Sequence, residues 1–241
     1  TNANTQAKII LMNDIDFGGM SIDSISDFFG EINGNGYTLS NLNINGSALF
    51  DNTIGAFIQN AIISDFHVKG QGSIGVLFGQ ACHVQFNNLI LQNSSVETDG
   101  YAGGLIGALS DSCTIQNTVV SNTVLNGQMG NGGFVGVNGI RGITLTVKNS
   151  GVYNITSTLQ EHPYWNGGII GYVHRDLYVN VTDTYVYFDP TFTAGSNQTW
   201  NTIGNGGTYN VYGNFTSNGI VPDNFTPGGT GTIDNSQSYT L

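Results

Sequence analysis

The side chains best suited to chemistry in this sequence are a group of histidines with an aspartate. His162, His174 and Asp176 lie on two inserts that flank Gly171, and Arg175 stands between the last two. Two imidazoles and one carboxylate form a ligand set that zinc accepts, although histidines on loops are far more often ordinary surface residues. We therefore expect no metal site, no cofactor and no catalytic residue.

The two cysteines of the chain, Cys82 and Cys113, each precede an apolar strand residue by two positions. Counted from the repeating asparagines Asn88 and Asn117, they lie 6 and 4 residues upstream, and this even difference puts both on one face of a strand. Equivalent Cα atoms in stacked coils lie about 4.8 Å apart, within the range of a disulfide. We predict a Cys82–Cys113 disulfide in an oxidising compartment; the alternative is two buried free thiols.

Carboxylates offer little further chemistry. Asp14 and Asp16 alternate outward on the first predicted strand, but calcium requires six or more oxygens. A glycosidase needs two carboxylates that flank the scissile bond, and no repeat stands out for acids beside a cation. Cleavage of polysaccharides, a reaction that other β-helical proteins perform, therefore remains the less favoured alternative.

Aromatic residues and sequons point to carbohydrate in two different ways. Tyr101, Trp165 and Trp200 occupy similar places just before glycine-rich strands, where their rings would either stack on sugars or cover apolar edges between coils. Asparagines in the sequence Asn-x-Ser/Thr are candidates for N-glycosylation. These sequons are Asn45, Asn93, Asn154, Asn180, Asn197, Asn214 and Asn224.

Composition narrows the function classes. Charged residues make up 9% of the 241 residues, against about 25% in ordinary soluble proteins. The net charge of −11 and the scattered positions of the five Lys and Arg residues argue against binding to nucleic acid or to an anionic membrane. No apolar run approaches the roughly 18 residues that span a bilayer. Because the chain starts at Thr1, we expect it to be part of a longer secreted product.

The elements that must position these side chains are short repeats. Similar glycine-rich segments end at Asp51, Gly79, Gly107, Gly136 and Gly171, in steps of 28, 28, 29 and 35 residues. Repetition of this kind is typical of stacked units that bury their apolar edges against one another. Alternating and β-branched apolar residues broken by glycine indicate strands.

A second repeating position carries Asn or Asp between apolar residues, where a side-chain amide can satisfy the backbone of a corner and tolerate a left-handed conformation. Stacked asparagines can also bond to one another as a ladder. This predicted Asx column consists of Asn41, Asp65, Asn88, Asn117, Asn149 and Asp183.

These patterns predict an all-β, single-stack parallel β-solenoid of about six to seven coils. Residues 1–33 would form an N-terminal arm and a capping coil, with a helical turn near residues 22–29. Residues 34–188 would form the solenoid repeats, and residues 189–241 a less regular C-terminal extension.

The segment at residues 103–127, with GGLIG followed by Ile115-Gln116-Asn117, resembles the GLUG repeat of secreted and surface proteins. The lead-in segments KIILMNDIDF and FFGEINGNGYTLSNL are similar to the sequence that commonly precedes such repeats, except that Asn33 replaces the usual Asp. The resemblance covers roughly residues 8–188. It implies a β-solenoid of extracellular proteins, often adhesive or structural, without catalytic residues.

The favoured interpretation is a non-catalytic β-solenoid, extracellular or on the cell surface, that serves in adhesion or as a subunit of a fibre or surface layer. We expect it to associate with itself through the tail beyond residue 189 or the arm before Lys8. The alternative is a carbohydrate-binding or carbohydrate-cleaving β-helix protein.

Overall fold

The protein consists of β-strands and their connections throughout the part that the structure describes. The structure, a computed structural model, describes residues 7–157, 166–173, 176–182 and 184–187, together with the strands at 201–203, 208–212, 215–217 and 230–233. No helix occurs among these residues. The predicted all-β class is therefore confirmed.

The strands range from 2 to 17 residues in length and follow one another closely. Those up to residue 127 are β1 (Ala7–Ile10), β2 (Ile15–Phe28), β3 (Gly30–Asn33), β4 (Thr38–Ile54), β5 (Phe57–Gly70), β6 (Ile74–Gly75), β7 (Phe78–Cys82), β8 (Val84–Gln92), β9 (Ser95–Thr98), β10 (Tyr101–Gly103), β11 (Ile106–Leu109) and β12 (Cys113–Gly127). The later strands are β13 (Gly130–Gly132), β14 (Val135–Asn138), β15 (Ile143–Lys148), β16 (Gly151–Thr156), β17 (Asn166–Val173), β18 (Leu177–Thr182), β19 (Thr184–Tyr187), β20 (Asn201–Ile203), β21 (Thr208–Tyr212), β22 (Phe215–Ser217) and β23 (Thr230–Ile233).

Every strand pair is parallel and joins one coil to the next. Along one side of the stack β5 pairs with β8, β8 with β12, β12 with β15 and β15 with β18. The chain is thus a parallel β-solenoid of about five turns. The predicted count of six to seven coils, the N-terminal cap and the domain boundaries stay predictions.

The interior follows the glycine repeat. Leu77, Leu105, Phe134 and Ile169 lie above one another, all of them buried. Backbone hydrogen bonds link them: the amide of Leu77 donates to Leu105 O (3.1 Å), that of Leu105 to Phe134 O (2.9 Å) and that of Phe134 to Ile169 O (3.1 Å). The stacking predicted for these four residues is confirmed.

Glycine is required where the chain folds back on itself beside this column. A Cβ atom on Gly103 would lie 1.8 Å from the carbonyl oxygen of Ile106, and one on Gly132 would lie 1.8 Å from that of Val135. These distances are far shorter than any real contact between such atoms, so the two turns accept only hydrogen at that position.

One corner of the solenoid is a column of asparagines in the left-handed conformation. Asn60, Asn88, Asn117 and Asn149 have φ angles of 54, 55, 49 and 44°. Asn88 Nδ2 donates to Asn60 Oδ1 (3.0 Å), and Asn149 Nδ2 donates to Asn117 Oδ1 (2.8 Å). Asparagine suits this corner because its short amide tolerates positive φ and bonds to the next coil.

A second corner, five residues further along each coil, repeats the same device. Its members also have positive φ and stand opposite one another in the strand register. They are Asn41, Asp65, Asn93, Asn122 and Asn154. The structure therefore divides the predicted column into two, since Asn41 and Asp65 belong to this second corner. Asp183 lies outside the described residues.

The register corrects the predicted disulfide. Cys113 pairs with Val84 and not with Cys82, and both cysteines are free thiols. The offset of two residues adds about 6.6 Å along the strand to the 4.8 Å between coils, so the two Cα atoms are about 8 Å apart. That separation exceeds what a disulfide accepts.

The N-terminal segment also differs from the expected helical turn. Residues 22–28 belong to strand β2, which pairs with β4 on one side. Among the described strands none pairs with the other edge of β2, and β1 likewise pairs only with β3. Within the described residues, this first rung therefore has a neighbouring rung on one side only.

Candidate functional site

The first described rung exposes apolar side chains of the kind that the inner coils bury. Phe17 and Ile22 of β2 are partly buried against the core, and the ring of Phe17 meets that of Phe66 edge-on at 6.2 Å. Six of the eleven large apolar side chains that are exposed among the described residues lie within residues 9–25. They are Ile9, Ile10, Met12, Ile15, Met20 and Ile25. We call this surface the N-terminal face.

Acidic residues accompany this face. Asp16 Oδ1 accepts hydrogen bonds from Asn41 Nδ2 and from the amide of Gly18, both at 2.8 Å. The bond from Asn41 and then that from Gly18 lower the pKa of Asp16. Asp14 Oδ1 accepts from the amide of Thr38 at 2.8 Å. Of the two carboxylates considered for calcium, Asp16 thus bonds to Asn41 of the second corner and Asp14 to the first residue of β4.

A polar groove runs along the side of the coils. About 340 Å³ of space is lined by Lys69, Glu97, Asp99, Asn126 and other residues of adjacent coils. Its carboxylates are already bonded: Glu97 pairs with Lys69 Nζ at 2.6 Å, and Asp99 Oδ1 accepts from the amide of Gly72 at 2.7 Å. The groove offers hydrogen-bonding groups of the kind that sugars use.

Of the three predicted sugar-stacking aromatics, Tyr101 lies in the described part of the chain. Its ring stacks on that of Tyr172, with centroids 5.5 Å apart and planes inclined by 6°. Burial, and then the nearby Tyr172, raise the pKa of Tyr101 to about 12. One face of the ring is therefore covered by protein. Trp165 and Trp200 lie outside the described residues.

The sequons differ in accessibility. Asn45, Asn93 and Asn180 are exposed. Asn154 is half-buried, and its Nδ2 atom donates to Asn122 Oδ1 at 2.8 Å, so the nitrogen that would carry a glycan is engaged in the second corner. Asn197, Asn214 and Asn224 lie outside the described residues.

The histidine group predicted from the sequence falls largely outside the described residues. His162, His174 and Arg175 are not among the described residues, and Asp176 is exposed.

The structure instead brings together Cys82, His83 and Asp111, which sequence reasoning did not connect. One ligand atom from each lies within 4.8 Å of the others. His83 Nε2 is 3.2 Å from Asp111 Oδ2, and Cys82 Sγ points to the same oxygen at 3.9 Å. Burial first, and then Asp111, raise the pKa of the Cys82 thiol. The repeat spacing of the sequence does link two of them. Asp111 follows Cys82 by 29 residues, the same step that separates Asn88 from Asn117.

This cluster does not form a nucleophilic triad. In such a triad the histidine stands between the nucleophile and the carboxylate, bonding to each through a different nitrogen. Here the carboxylate stands between Cys82 and His83, and the pKa of the thiol is raised. Nucleophilic cysteines have lowered pKa values, so the geometry fits a ligand set better than a catalytic one.

Comparison with known proteins finds a similarity to halomucin from Haloquadratum walsbyi. The two sequences are 34% identical over 129 residues, which make up 49% of this chain and 1% of halomucin. No family model matches the chain, and no solved structure matches it. Because the chain spans about one hundredth of that relative's length, what halomucin does as a whole bears on this chain only as a proposal.

Nothing helical in the described structure is long and apolar enough to cross a membrane.

Proposed function

We propose that this chain is a non-catalytic, structural β-solenoid, located outside the cell or on its surface, that associates end to end into a fibre or layer. The observation that carries the proposal is the N-terminal face, where the outer edge of β2 has no strand partner among the described residues and lies beside exposed apolar side chains. Strand edges of this kind are templates for pairing with another chain.

The occupant that fits this face is the C-terminal end of a second copy. A parallel strand added to β2 would continue the spacing of the coils and cover residues such as Met20 and Ile25. Two N-terminal faces would bring Asp14, Asp16 and Asp23 of both copies together, and like charges in contact oppose association. Head-to-tail contact avoids this repulsion, and because it does not close on itself it generates a filament.

Composition, repetition and similarity also support the proposal. Few charged residues, a stack of similar coils and the resemblance to GLUG repeats favour a structural over a catalytic role. The name of the relative, halomucin, denotes a mucin-type protein, which favours an extracellular place and attached glycans. Self-association, adhesion and the use of the exposed sequons Asn45, Asn93 and Asn180 belong to the proposal.

The test compares two apolar-to-lysine changes at the N-terminal face with one elsewhere. Met20→Lys/Ile25→Lys would place two ammonium groups in the contact, whereas Ile54→Lys changes an equally exposed residue on the side of the stack. We expect the double variant to weaken self-association by more than about 10-fold, because burying an unpaired charge costs well over 1.4 kcal/mol. Sedimentation velocity over a range of concentrations measures the association.

In the same experiment Ile54→Lys should associate like the unchanged protein, and electron micrographs of concentrated material should show filaments. An unchanged protein that stays monomeric at its solubility limit would refute the proposal. If Ile54→Lys weakened self-association as much as the double variant, the contact between copies would lie outside the N-terminal face.

The polar groove supports a second candidate function, binding of carbohydrate. Lys69, Glu97, Asp99 and Asn126 present donors and acceptors along about 340 Å³ of surface space. Calorimetric titration with a panel of neutral and acidic oligosaccharides tests this candidate. This function requires that an oligosaccharide bind and that the double variant Glu97→Gln/Asp99→Asn bind it more weakly. Hydrolysis of the bound sugar would show that the protein is also an enzyme.

A further inference from the structure

Cys82 and His83 stand at the junction of β7 and β8, and Asp111 stands in the connection from β11 to β12 in the following coil. The amide of Ser110 donates to Ala81 O at 2.9 Å and fixes these two segments side by side. The three side chains therefore meet across the boundary between two coils.

We propose that Cys82, His83 and Asp111 form a binding site for a divalent cation of the zinc type that ties these two coils together. The set combines a thiol sulfur, an imidazole nitrogen and a carboxylate oxygen, all of which zinc accepts. Three protein ligands leave a fourth tetrahedral position for water.

The distances are close to those of a tetrahedral site. Metal–ligand bonds of 2.0–2.3 Å imply separations of roughly 3.3–3.7 Å between ligand atoms. The distance from His83 Nε2 to Asp111 Oδ2 is 3.2 Å, and that from Cys82 Sγ to the same oxygen is 3.9 Å. Small rotations of side chains would complete the geometry.

The backbone holds two of the ligands in place. Asp111 Oδ1 accepts a hydrogen bond from the amide of Ser112 at 2.6 Å, which leaves Oδ2 directed towards the other two ligands. His83 has a φ of 54°, and among the described residues it is the one left-handed non-glycine that is neither Asn nor Asp. Histidine at such a position costs backbone energy that asparagine, used at both corners, would largely avoid.

The surroundings allow a cation to enter. The side chain of His83 is 61% exposed and that of Asp111 36%, so solvent reaches both, while Cys82 lies partly buried behind them. On binding, the Cys82 thiol would lose its proton to solvent, because the thiolate is the ligand. A bound ion would stabilise the folded chain by mass action.

The experiment uses the full chain, stripped of metal with a chelator and titrated with Co²⁺ and then Zn²⁺. We expect one Co²⁺ per chain, a thiolate-to-cobalt charge-transfer band, visible bands of tetrahedral intensity, and displacement by Zn²⁺ with a rise in Tm. Cys82→Ser should abolish the charge-transfer band. His83→Asn and Asp111→Asn should each weaken binding by more than about 100-fold, since loss of outer-shell partners alone costs about 10–100-fold.

Two control variants keep the site intact. Cys113→Ala removes the other cysteine, which is buried and faces the core, and His67→Asn removes an exposed histidine that contacts Ser95; both should bind Co²⁺ unchanged. If a site variant fails to fold, the folded wild-type protein is alkylated at Cys82, the less buried of the two cysteines. Alkylation should remove the thiolate-to-cobalt charge-transfer band. Absence of the band at stoichiometric Co²⁺, or equal binding by the site variants, would overturn the proposal.

Discussion

The N-terminal rung and the inner coils use the same backbone arrangement but differ in what lies on each side. Between Gly30 and Val173 the described coils pair with strands on both sides, and most of their large apolar side chains are buried. Asn117, for example, bonds to an asparagine of each neighbouring coil. The rung of β1 and β2 has a described neighbour on one side only. Its apolar residues are exposed, and Asp16 replaces asparagine as the terminal acceptor of a ladder. Residues of the inner coils therefore stabilise the stack, whereas residues of the N-terminal rung are free to contact another molecule.

The largest expected effect comes from backbone contact in the inner coils. Gly132→Ala would set a Cβ 1.8 Å from Val135 O, and we expect it to destabilise the protein by more than about 4 kcal/mol or to prevent folding. In the N-terminal rung Gly18→Ala meets no atom within 4 Å and has only its φ of +61° to accommodate, which costs about 1–2 kcal/mol. Urea unfolding followed by circular dichroism measures the free energy of unfolding of both variants. Equal losses of stability would contradict the distinction between the inner coils and the N-terminal rung.

Core packing provides the next contrast. Phe134→Ala removes a fully buried ring and should cost about 3–5 kcal/mol in the free energy of unfolding. Met20→Ala, at an exposed position of the N-terminal face, should change it by less than about 0.5 kcal/mol in dilute solution. A large loss for Met20→Ala at low concentration would mean that this face already supports the single chain.

These contrasts also explain what the sequence could and could not predict. The stacking of Leu77, Leu105, Phe134 and Ile169 was predictable because their neighbouring glycines cannot be replaced, which keeps the repeat visible. The two corners merged into one predicted column because each coil carries two left-handed Asx positions five residues apart, and Asp65 satisfies the same local pattern as Asn88. A step count alone does not distinguish them.

The candidate sites were less predictable for similar reasons. The even offset from the asparagine column predicts that Cys82 and Cys113 share a face, yet a shift of two residues along the strand keeps the two thiols apart. Asp111 lies in a connection that has no strand pattern, so only the coil spacing links it to Cys82. The sequence of the N-terminal face has the same apolar pattern as a buried strand, and its exposure follows from the lack of a described rung on its outer side.

A smaller contrast is expected at the corners. Asn117 donates to Asn87 Oδ1 and accepts from Asn149 Nδ2, and Asn117→Ala should cost about 2–3 kcal/mol through the left-handed strain and two lost bonds. Asn117→Gly should recover the strain component, about 1 kcal/mol. Asn41→Ala, which removes the one bond to Asp16, should cost less than Asn117→Ala. Thermal unfolding of the three variants provides the check, and an Asn117→Gly variant no more stable than Asn117→Ala would contradict the role of the left-handed backbone.

The smallest effects should show no contrast. Lys8–Glu31 at the N-terminal rung (3.3 Å) and Lys69–Glu97 on an inner coil (2.6 Å) are both exposed ion pairs. Double-mutant cycles to alanine should give coupling energies of about 0.2–1 kcal/mol for each, declining with added salt. A coupling well above that range for one pair would show that position in the stack also governs its surface charges.

Hydrogen exchange tests the central claim, association through the N-terminal rung, most directly. Exchange of peptides from β2 and from β12 is compared between dilute protein and protein concentrated enough to associate. We predict that amides of β2 exchange more than about 10-fold more slowly in the associated sample, as unpaired donors gain partners, while those of β12 are unchanged. Associated protein in which β2 exchanges at its dilute rate would contradict the account.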